Sequence, residues 1–192
     1  SGLFEVSPIP AQTVDRVFER LQNVPGVVAA AAVSSPPFVG QGFAMPFLVE
    51  GRPLPLSSTA GARPSDQQTA DYFAVTSGFF KVMGIPVQRG RDFDAHDRAD
   101  TAPVVVISET MSRQYFPSED AVGQYIRFDF VPNERPRQIV GIVGDTLAGP
   151  LETIRRPAAY VPHVQQGPTF VGPFVDLRTG MTCVLRPEGA PM

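Results

Sequence analysis

The pattern of apolar and polar positions predicts a few short helices among many strands. Near the amino end, apolar residues recur at i, i+3, i+4 and i+7 from Val14 to Leu21, which predicts a helix over residues 13–23. Continuous or alternating apolar runs bounded by Gly, Pro and polar residues then predict strands. These runs are 27–33, 43–50, 71–76, 87–91, 104–107, 125–130, 138–143, 158–161, 171–177 and 182–185.

Two further helices are predicted between strands. Ser77 precedes one over residues 78–83, and Ser108 precedes another over residues 109–116. A serine at this position caps a helix by accepting a hydrogen bond from a backbone N–H of the first turn. The Pro- and Ser-rich stretch 51–69 has no period and is predicted to be an exposed loop. Helices and strands do not alternate strictly, so the predicted fold class is α+β.

Composition is that of a folded domain. The 192 residues are enough for one domain or two small lobes, and 43% hydrophobic with 18% charged residues argues against disorder. With 21 prolines and 17 glycines, the chain is expected to have many turns. The longest apolar run, 27–33, is far short of the ~20 residues that cross a bilayer. The first ten residues lack a signal-peptide pattern, so the chain as given is expected to be soluble.

Charge and cysteine content argue against a nucleic-acid partner and against sites built from cysteine. The 16 basic and 19 acidic residues are scattered and leave a net charge of −3, so no nucleic-acid partner is expected. Cys183 is the only cysteine, which excludes an intramolecular disulfide and a cysteine-based metal site. Its apolar neighbours in the predicted strand 182–185 indicate a buried side chain.

The acidic segment 92–100 is a candidate for cation binding. It contains four carboxylates and a histidine: Asp92, Asp94, His96, Asp97 and Asp100. A calcium loop of the EF-hand type needs glycine at its sixth position and a carboxylate at its twelfth. Counted from Asp92, those positions hold Asp97 and Pro103. The segment is therefore predicted to be a solvated turn, and no metal ligand is assigned.

A glycine pair after a predicted strand resembles part of a dinucleotide loop. Gly141 and Gly144 have the spacing of such a loop, and Asp145 follows them. The third glycine is missing, and Gly149-Pro150 leaves no room for the helix that the loop must open. Gly141 is instead predicted to mark a bulge or a close approach of two backbones.

Nucleophilic catalysis has few candidate residues. The chain contains no G-x-S-x-G elbow, and Ser77 and Ser108 both stand where helix caps belong. His96 and His163 are the only imidazole bases. Because the members of a triad need not be adjacent in sequence, a hydrolase using either serine with a histidine stays open as an alternative. No catalytic, cofactor-binding or metal residue is assigned.

Three sequence segments, in this order along the chain, carry a family resemblance. They are VTSGFFKVMGIPVQRGRDF at 75–93, PVVVISETMSRQYFP at 103–117 with AVGQYIRF at 121–128, and RQIVGIVGD at 137–145 with AYVPHVQQ at 159–166. Together with PGV at 25–27 and EGRP at 50–53, this order resembles the periplasmic core domain of MacB-like ABC transporter permeases. It is most similar to the variety in acidobacterial and related permeases of unknown substrate, and the resemblance covers about residues 10–187.

The resemblance implies a non-catalytic domain, residues 1–192, excised from a longer membrane permease. It implies a mixed α/β membrane-near lobe, including 13–50 and 104–116, with an inserted β-rich lobe. The implied partners are transmembrane helices of the same chain, a cytoplasmic ABC ATPase, and a second permease copy or a periplasmic adaptor. The implied location is the periplasmic or extracytoplasmic face of the membrane. The alternative is a secreted solute-binding or sensor module with a ligand cleft between its lobes.

Overall fold

The computed structural model describes residues 17, 20–21, 24–34, 43–52, 68–128, 134–146, 155–166 and 181–188. Its strands are β1 (Val27–Val33), β2 (Phe43–Val49), β3 (Thr69–Val75), β4 (Val87–Gly90), β5 (Val104–Ser108), β6 (Tyr125–Phe128), β7 (Arg137–Val143), β8 (Ala158–Pro162) and β9 (Thr182–Pro187). Its helices are α1 (Phe79–Met83), α2 (Glu109–Tyr115) and a 3₁₀ turn over His163–Gln165. Val17, Arg20 and Leu21 are also helical, in agreement with the predicted first helix, whose other residues lie outside the described ranges.

Six of these strands pair in a closed circuit. The order is β2, β6, β7, β5, β8 and β3, and β3 pairs again with β2. The β5–β7 and β3–β8 pairs are parallel, whereas the other pairs are antiparallel. Strand β1 pairs with the end of β3 and carries β9 on its far side, and β4 pairs with the end of β7. This mixed sheet with few helices has the predicted α+β class.

The inner face of the circuit forms one core. Alternate residues of the six strands point into it, as the two-residue period of a strand requires. The buried members include Met45, Phe47, Tyr72, Val105, Ile107, Ile126, Phe128, Ile139, Ile142 and Val161. Helix α2 adds Met111 and is followed by Phe116, which belongs to the same cluster. Helix α2 therefore packs against the interior of the circuit.

The other face of β3, β5, β7 and β8 forms a second core under α1. Phe79 and Phe80 of α1 pack with Tyr160 of β8, whose ring also stacks on Phe73 at a centroid distance of 5.3 Å. The rings of Phe80 and Tyr160 meet edge to face at 5.0 Å. Aromatic pairs in these geometries add to the free energy of burial. This cluster attaches β1 and α1 to the circuit.

Most predicted elements are confirmed, with ends that move by at most two residues. The bounds of β1 are those predicted, and β3 begins at Thr69, inside the stretch predicted to be a loop. Residues 53–67 of that stretch lie outside the described residues, as do the predicted strand 171–177 and residues 129–130 of the predicted sixth strand. The described strands form one connected sheet, and the division into two lobes stays a prediction.

Two local predictions are wrong. Ser77 does not cap α1, because the cap position is Gly78, which adopts a left-handed backbone with φ of 77° and moves the helix start to Phe79. Cys183 is exposed rather than buried, because β9 is the outermost strand on its side of the sheet and has only one described neighbour. Among the described residues, no helix is long and apolar enough to span a membrane.

Candidate functional site

Helix α2 is held at its amino end by Ser108. The hydroxyl oxygen of Ser108 accepts a hydrogen bond from the backbone N–H of Met111 at 3.2 Å, so the predicted cap is confirmed. The same oxygen accepts a second bond, at 3.0 Å, from the N–H of Ala158 at the start of β8. Ser108 is buried, and both donors are buried with it. One side chain thus ties α2 to a strand that lies 50 residues away in sequence.

A buried carboxylate holds the same end of α2 from β7. Asp145 follows β7, and its two oxygens accept bonds from the N–H and the hydroxyl of Thr110, both at 2.8 Å. Arg155 approaches the carboxylate at 3.4 Å. A negative charge at a helix amino end is also favoured by the helix dipole. Gly141, the candidate for a nucleotide loop, lies within β7, and the residue after Gly144 binds a helix of this chain.

The carboxyl end of α2 is held by Arg52, which follows β2. Its guanidinium donates to the carbonyl oxygen of Tyr115 at 2.5 Å and to the carboxylate of Glu119. The guanidinium carbon also lies 4.9 Å from the centre of the Phe116 ring. A cation here satisfies a free carbonyl and complements the negative end of the helix dipole.

Tyr115, the last residue of α2, binds the sheet directly. Its hydroxyl donates to the carbonyl oxygen of Thr69 in β3 at 3.2 Å, and its ring meets Phe47 of β2 edge to face at 4.9 Å. Partial burial raises the pKa of Tyr115 above its ordinary value. With Ser108 and Asp145, these contacts connect α2 to β2, β3, β7 and β8.

A buried ion pair lies at the other end of β7. Arg137 donates from Nε to Glu134 at 2.7 Å and from Nη2 to the backbone carbonyl of Gln165 at 3.1 Å. Both charged side chains are more than nine-tenths buried. Burial raises the pKa of Glu134, and the charge of Arg137 opposes that rise. The sequence pattern did not predict this pair, although opposite charges three residues apart just before an apolar strand were a visible signal.

The acidic segment forms the predicted turn, and its carboxylates make hydrogen bonds and ion pairs with residues in and next to the turn. Asp97 binds Arg91 through both oxygens, at 2.7 and 2.9 Å, and also accepts the N–H of Asp94 at 2.9 Å. Asp92 accepts the N–H of the next residue, and Asp94 accepts that of His96. The His96 N–H bond lowers the pKa of Asp94. Within the described ranges, no three His, Cys, Asp or Glu residues are placed to hold a metal ion.

Among the candidate catalytic residues, Ser77 and His163 follow the paired ends of β3 and β8, whereas Ser108 and His96 lie elsewhere in the fold. Ser77 is exposed in the turn before α1, whereas Ser108 is buried between β5 and α2. The ring of His96 is 90% exposed and its Nδ1 lies 3.1 Å from Asp94, while His163 begins the 3₁₀ turn after β8. Ser108 and His96 therefore have different partners.

Comparison with known proteins adds the family. The model of the MacB-like periplasmic core domain matches residues 2–187. A macrolide export ATP-binding/permease protein MacB of Neisseria gonorrhoeae is 32% identical over 92 residues, and one of Azoarcus sp. is 30% identical over 106 residues. These matches cover 46% and 55% of this chain. The chain spans only 14% and 15% of those relatives.

Two solved structures share the fold. The periplasmic region of MacB from Actinobacillus actinomycetemcomitans superposes with a TM-score of 0.59 at 17% identity, covering 92% of this chain and 66% of that one. A domain of a permease from Porphyromonas gingivalis, described as putative, gives a TM-score of 0.54 at 14% identity, with coverage of 92% and 69%. Since the family model spans almost the whole chain, the protein belongs to the MacB-like periplasmic core domain family and is an extracytoplasmic domain of an ABC transporter permease.

Proposed function

We propose that this domain transmits movement and catalyses no reaction itself. In the proposal, ATP hydrolysis by a cytoplasmic ABC ATPase moves the transmembrane helices of the same permease. The domain moves with those helices and couples them to a substrate or partner outside the membrane. The observation that carries the proposal is the fixing of α2 at both ends, by Ser108 and Asp145 at one and Arg52 at the other.

The energetics of these contacts support movement as one body. Each hydrogen bond of Ser108 and Asp145 is buried or partly buried, and leaving such a donor without a partner costs about 1–3 kcal/mol. Tilting α2 against the sheet would break several of these bonds at once. A displacement applied at one part of the circuit is therefore passed to the rest of the circuit rather than absorbed by α2.

The proposed partners follow from membership of a permease family. They are the transmembrane helices of the same chain, the ATPase acting through the membrane, and a second permease copy or a periplasmic adaptor. The relatives named above are ATP-binding/permease proteins, which supports an ATP-driven cycle. The family assignment favours this proposal over a free-standing solute-binding module.

The proposal is tested by removing the side chains that hold α2 at both ends in the intact permease. Arg52→Ala with Asp145→Ala should lower transport while ATP hydrolysis continues, because the motor would still run but its movement would reach the outer domain poorly. Arg89→Ala is the matched control, since the Arg89–Asp120 pair is solvent-exposed. Transport at the wild-type level from a correctly inserted double variant would refute coupling through this domain.

A further inference from the structure

The side chain of Gln165 binds a loop that is more than sixty residues away in sequence. Its Oε1 accepts the N–H of Val104, the first residue of β5, at 3.0 Å. Its Nε2 donates to the carbonyl oxygens of Arg98 and Ala102 at 3.0 and 3.1 Å. Three backbone groups are thus held by one amide, two in the segment before β5 and one at its first residue.

The backbone of Gln165 binds a third segment. Its carbonyl oxygen accepts Nη2 of Arg137, the first residue of β7, at 3.1 Å. The segments before β5 and β7 are also joined directly, because Gln138 donates its N–H to Pro103 at 2.9 Å. Gln165 therefore lies where the loop before β5, the start of β7 and the end of β8 meet.

Only an amide of this length satisfies the site. An amide side chain has one acceptor oxygen and a nitrogen with two donor hydrogens. Here the oxygen accepts from Val104, and the nitrogen lies within hydrogen-bond distance of the two carbonyls and of the Thr101 hydroxyl at 3.3 Å. Methionine has nearly the same shape but neither group. Glutamate keeps an acceptor for Val104 but would turn an oxygen toward the carbonyls of Arg98 and Ala102.

We propose that Gln165 is a positioning residue that makes these three segments move together, so that the coupling proposed above depends on it. This inference rests on the proposed function. It adds that, at the end of the circuit opposite the amino end of α2, the side chain of Gln165 joins the loop before β5 to the end of β8, beside the bonds that Arg137 and Gln138 make. Without the amide, the loop before β5 would open locally while the rest of the sheet stayed folded.

The local part of the inference is tested by hydrogen exchange on the 192-residue chain. In Gln165→Met, the amide of Val104 should exchange about tenfold faster or more, and Gln165→Glu should open the segment further. Gln114→Met is the matched control, because Gln114 is an exposed amide whose side chain makes none of the contacts described. Unchanged exchange at Val104 in both Gln165 variants would overturn the inference.

The functional part is tested in the intact permease by the ratio of substrate transported to ATP hydrolysed. Gln165→Met should lower this ratio at least about threefold at equal protein abundance, whereas simple destabilisation would lower abundance and leave the ratio. Gln114→Met should keep the wild-type ratio. If the double change of Arg52 and Asp145 to alanine lowers the ratio but Gln165→Met does not, the role of Gln165 is refuted and the proposed function stands. If neither change lowers the ratio, the proposed function fails as well.

Discussion

Gly90 and Gly141 face each other across the β4–β7 ladder, and neither position has room for a side chain. A Cβ on Gly90 would overlap the carbonyl oxygen of Val140, and one on Gly141 would overlap that of Arg91. Gly90 also has a left-handed backbone with φ of 71°. The two glycines let the end of β4 pass close to β7, so that the N–H of Arg91 reaches Val140 at 2.9 Å.

This pair predicts a graded loss of stability on substitution by alanine. Gly141→Ala should lower the free energy of unfolding by at least about 2 kcal/mol, because two backbones would have to separate. Gly90→Ala should lose more, since it adds the cost of a left-handed alanine. The measurement is chemical denaturation of the purified chain.

Gly123→Ala separates the two causes. Gly123 has φ of 95° but no atom near the position of a Cβ, so only the backbone cost, about 1–2 kcal/mol, should apply. Equal losses for Gly123→Ala and Gly90→Ala would show that the close approach contributes nothing.

Gly141 also shows what sequence can and cannot predict. A bulge or close approach at Gly141 is confirmed, because the β5–β7 register shifts there, from Ile139 opposite Val105 to Gly141 opposite Val106. Its partner Gly90 was not predictable, because strand pairing joins residues far apart in sequence. For the same reason, the sequence did not predict the closed circuit or the contacts of Arg52, Asp145 and Gln165.

The reliable predictions were those that depended on local sequence patterns. The run 27–33 and the Ser108 cap depend on neighbouring residues, and both are confirmed. The two errors came from alternatives with similar local patterns. Ser77 and Gly78 could each have begun α1, and the neighbours of Cys183 did not reveal that its strand lies at the edge of the sheet.

Ser108 and Ser77 form a natural test pair for the helix caps. Ser108→Ala should lower the free energy of unfolding by about 2–3 kcal/mol, because two buried N–H groups lose their acceptor. Ser77→Ala should change it by less than about 0.5 kcal/mol, since Ser77 is exposed and does not cap α1. Thermal and urea unfolding of both variants measure this difference. A similar small effect from both would contradict the role given to Ser108.

Arg52 should not be replaceable by lysine. Its fork binds a carbonyl and a carboxylate together while its flat face lies over Phe116, and an ammonium group cannot reproduce this geometry. Arg52→Lys is expected to lower the free energy of unfolding by about 1 kcal/mol and Arg52→Ala by somewhat more. Arg89→Ala, at an exposed pair, should stay within about 0.5 kcal/mol of the wild type. Full stability of Arg52→Lys would show that charge alone is sufficient.

Stability should fall in alkaline solution because of two buried tyrosines. Burial raises the pKa of Tyr72 and of Tyr160 from 10.0 to about 12. Between these values the folded chain keeps both phenol protons, whereas the unfolded chain releases them. The folded state then binds more protons, so the free energy of unfolding decreases as pH rises through this window. The loss approaches about 2–3 kcal/mol for each tyrosine.

Tyr160→Phe provides the control for this pH dependence. It removes one phenol and its bond to Thr146 at 3.2 Å, so the variant should start less stable but lose about half as much stability between pH 10 and pH 12. Denaturation curves at several pH values measure the slope, and phenolate absorbance follows ionisation directly. Phenolate signal from Tyr72 and Tyr160 should appear together with unfolding. An equally steep decline in the variant and the wild type would mean that Tyr160 ionises freely in the folded chain and that its burial does not set the alkaline limit.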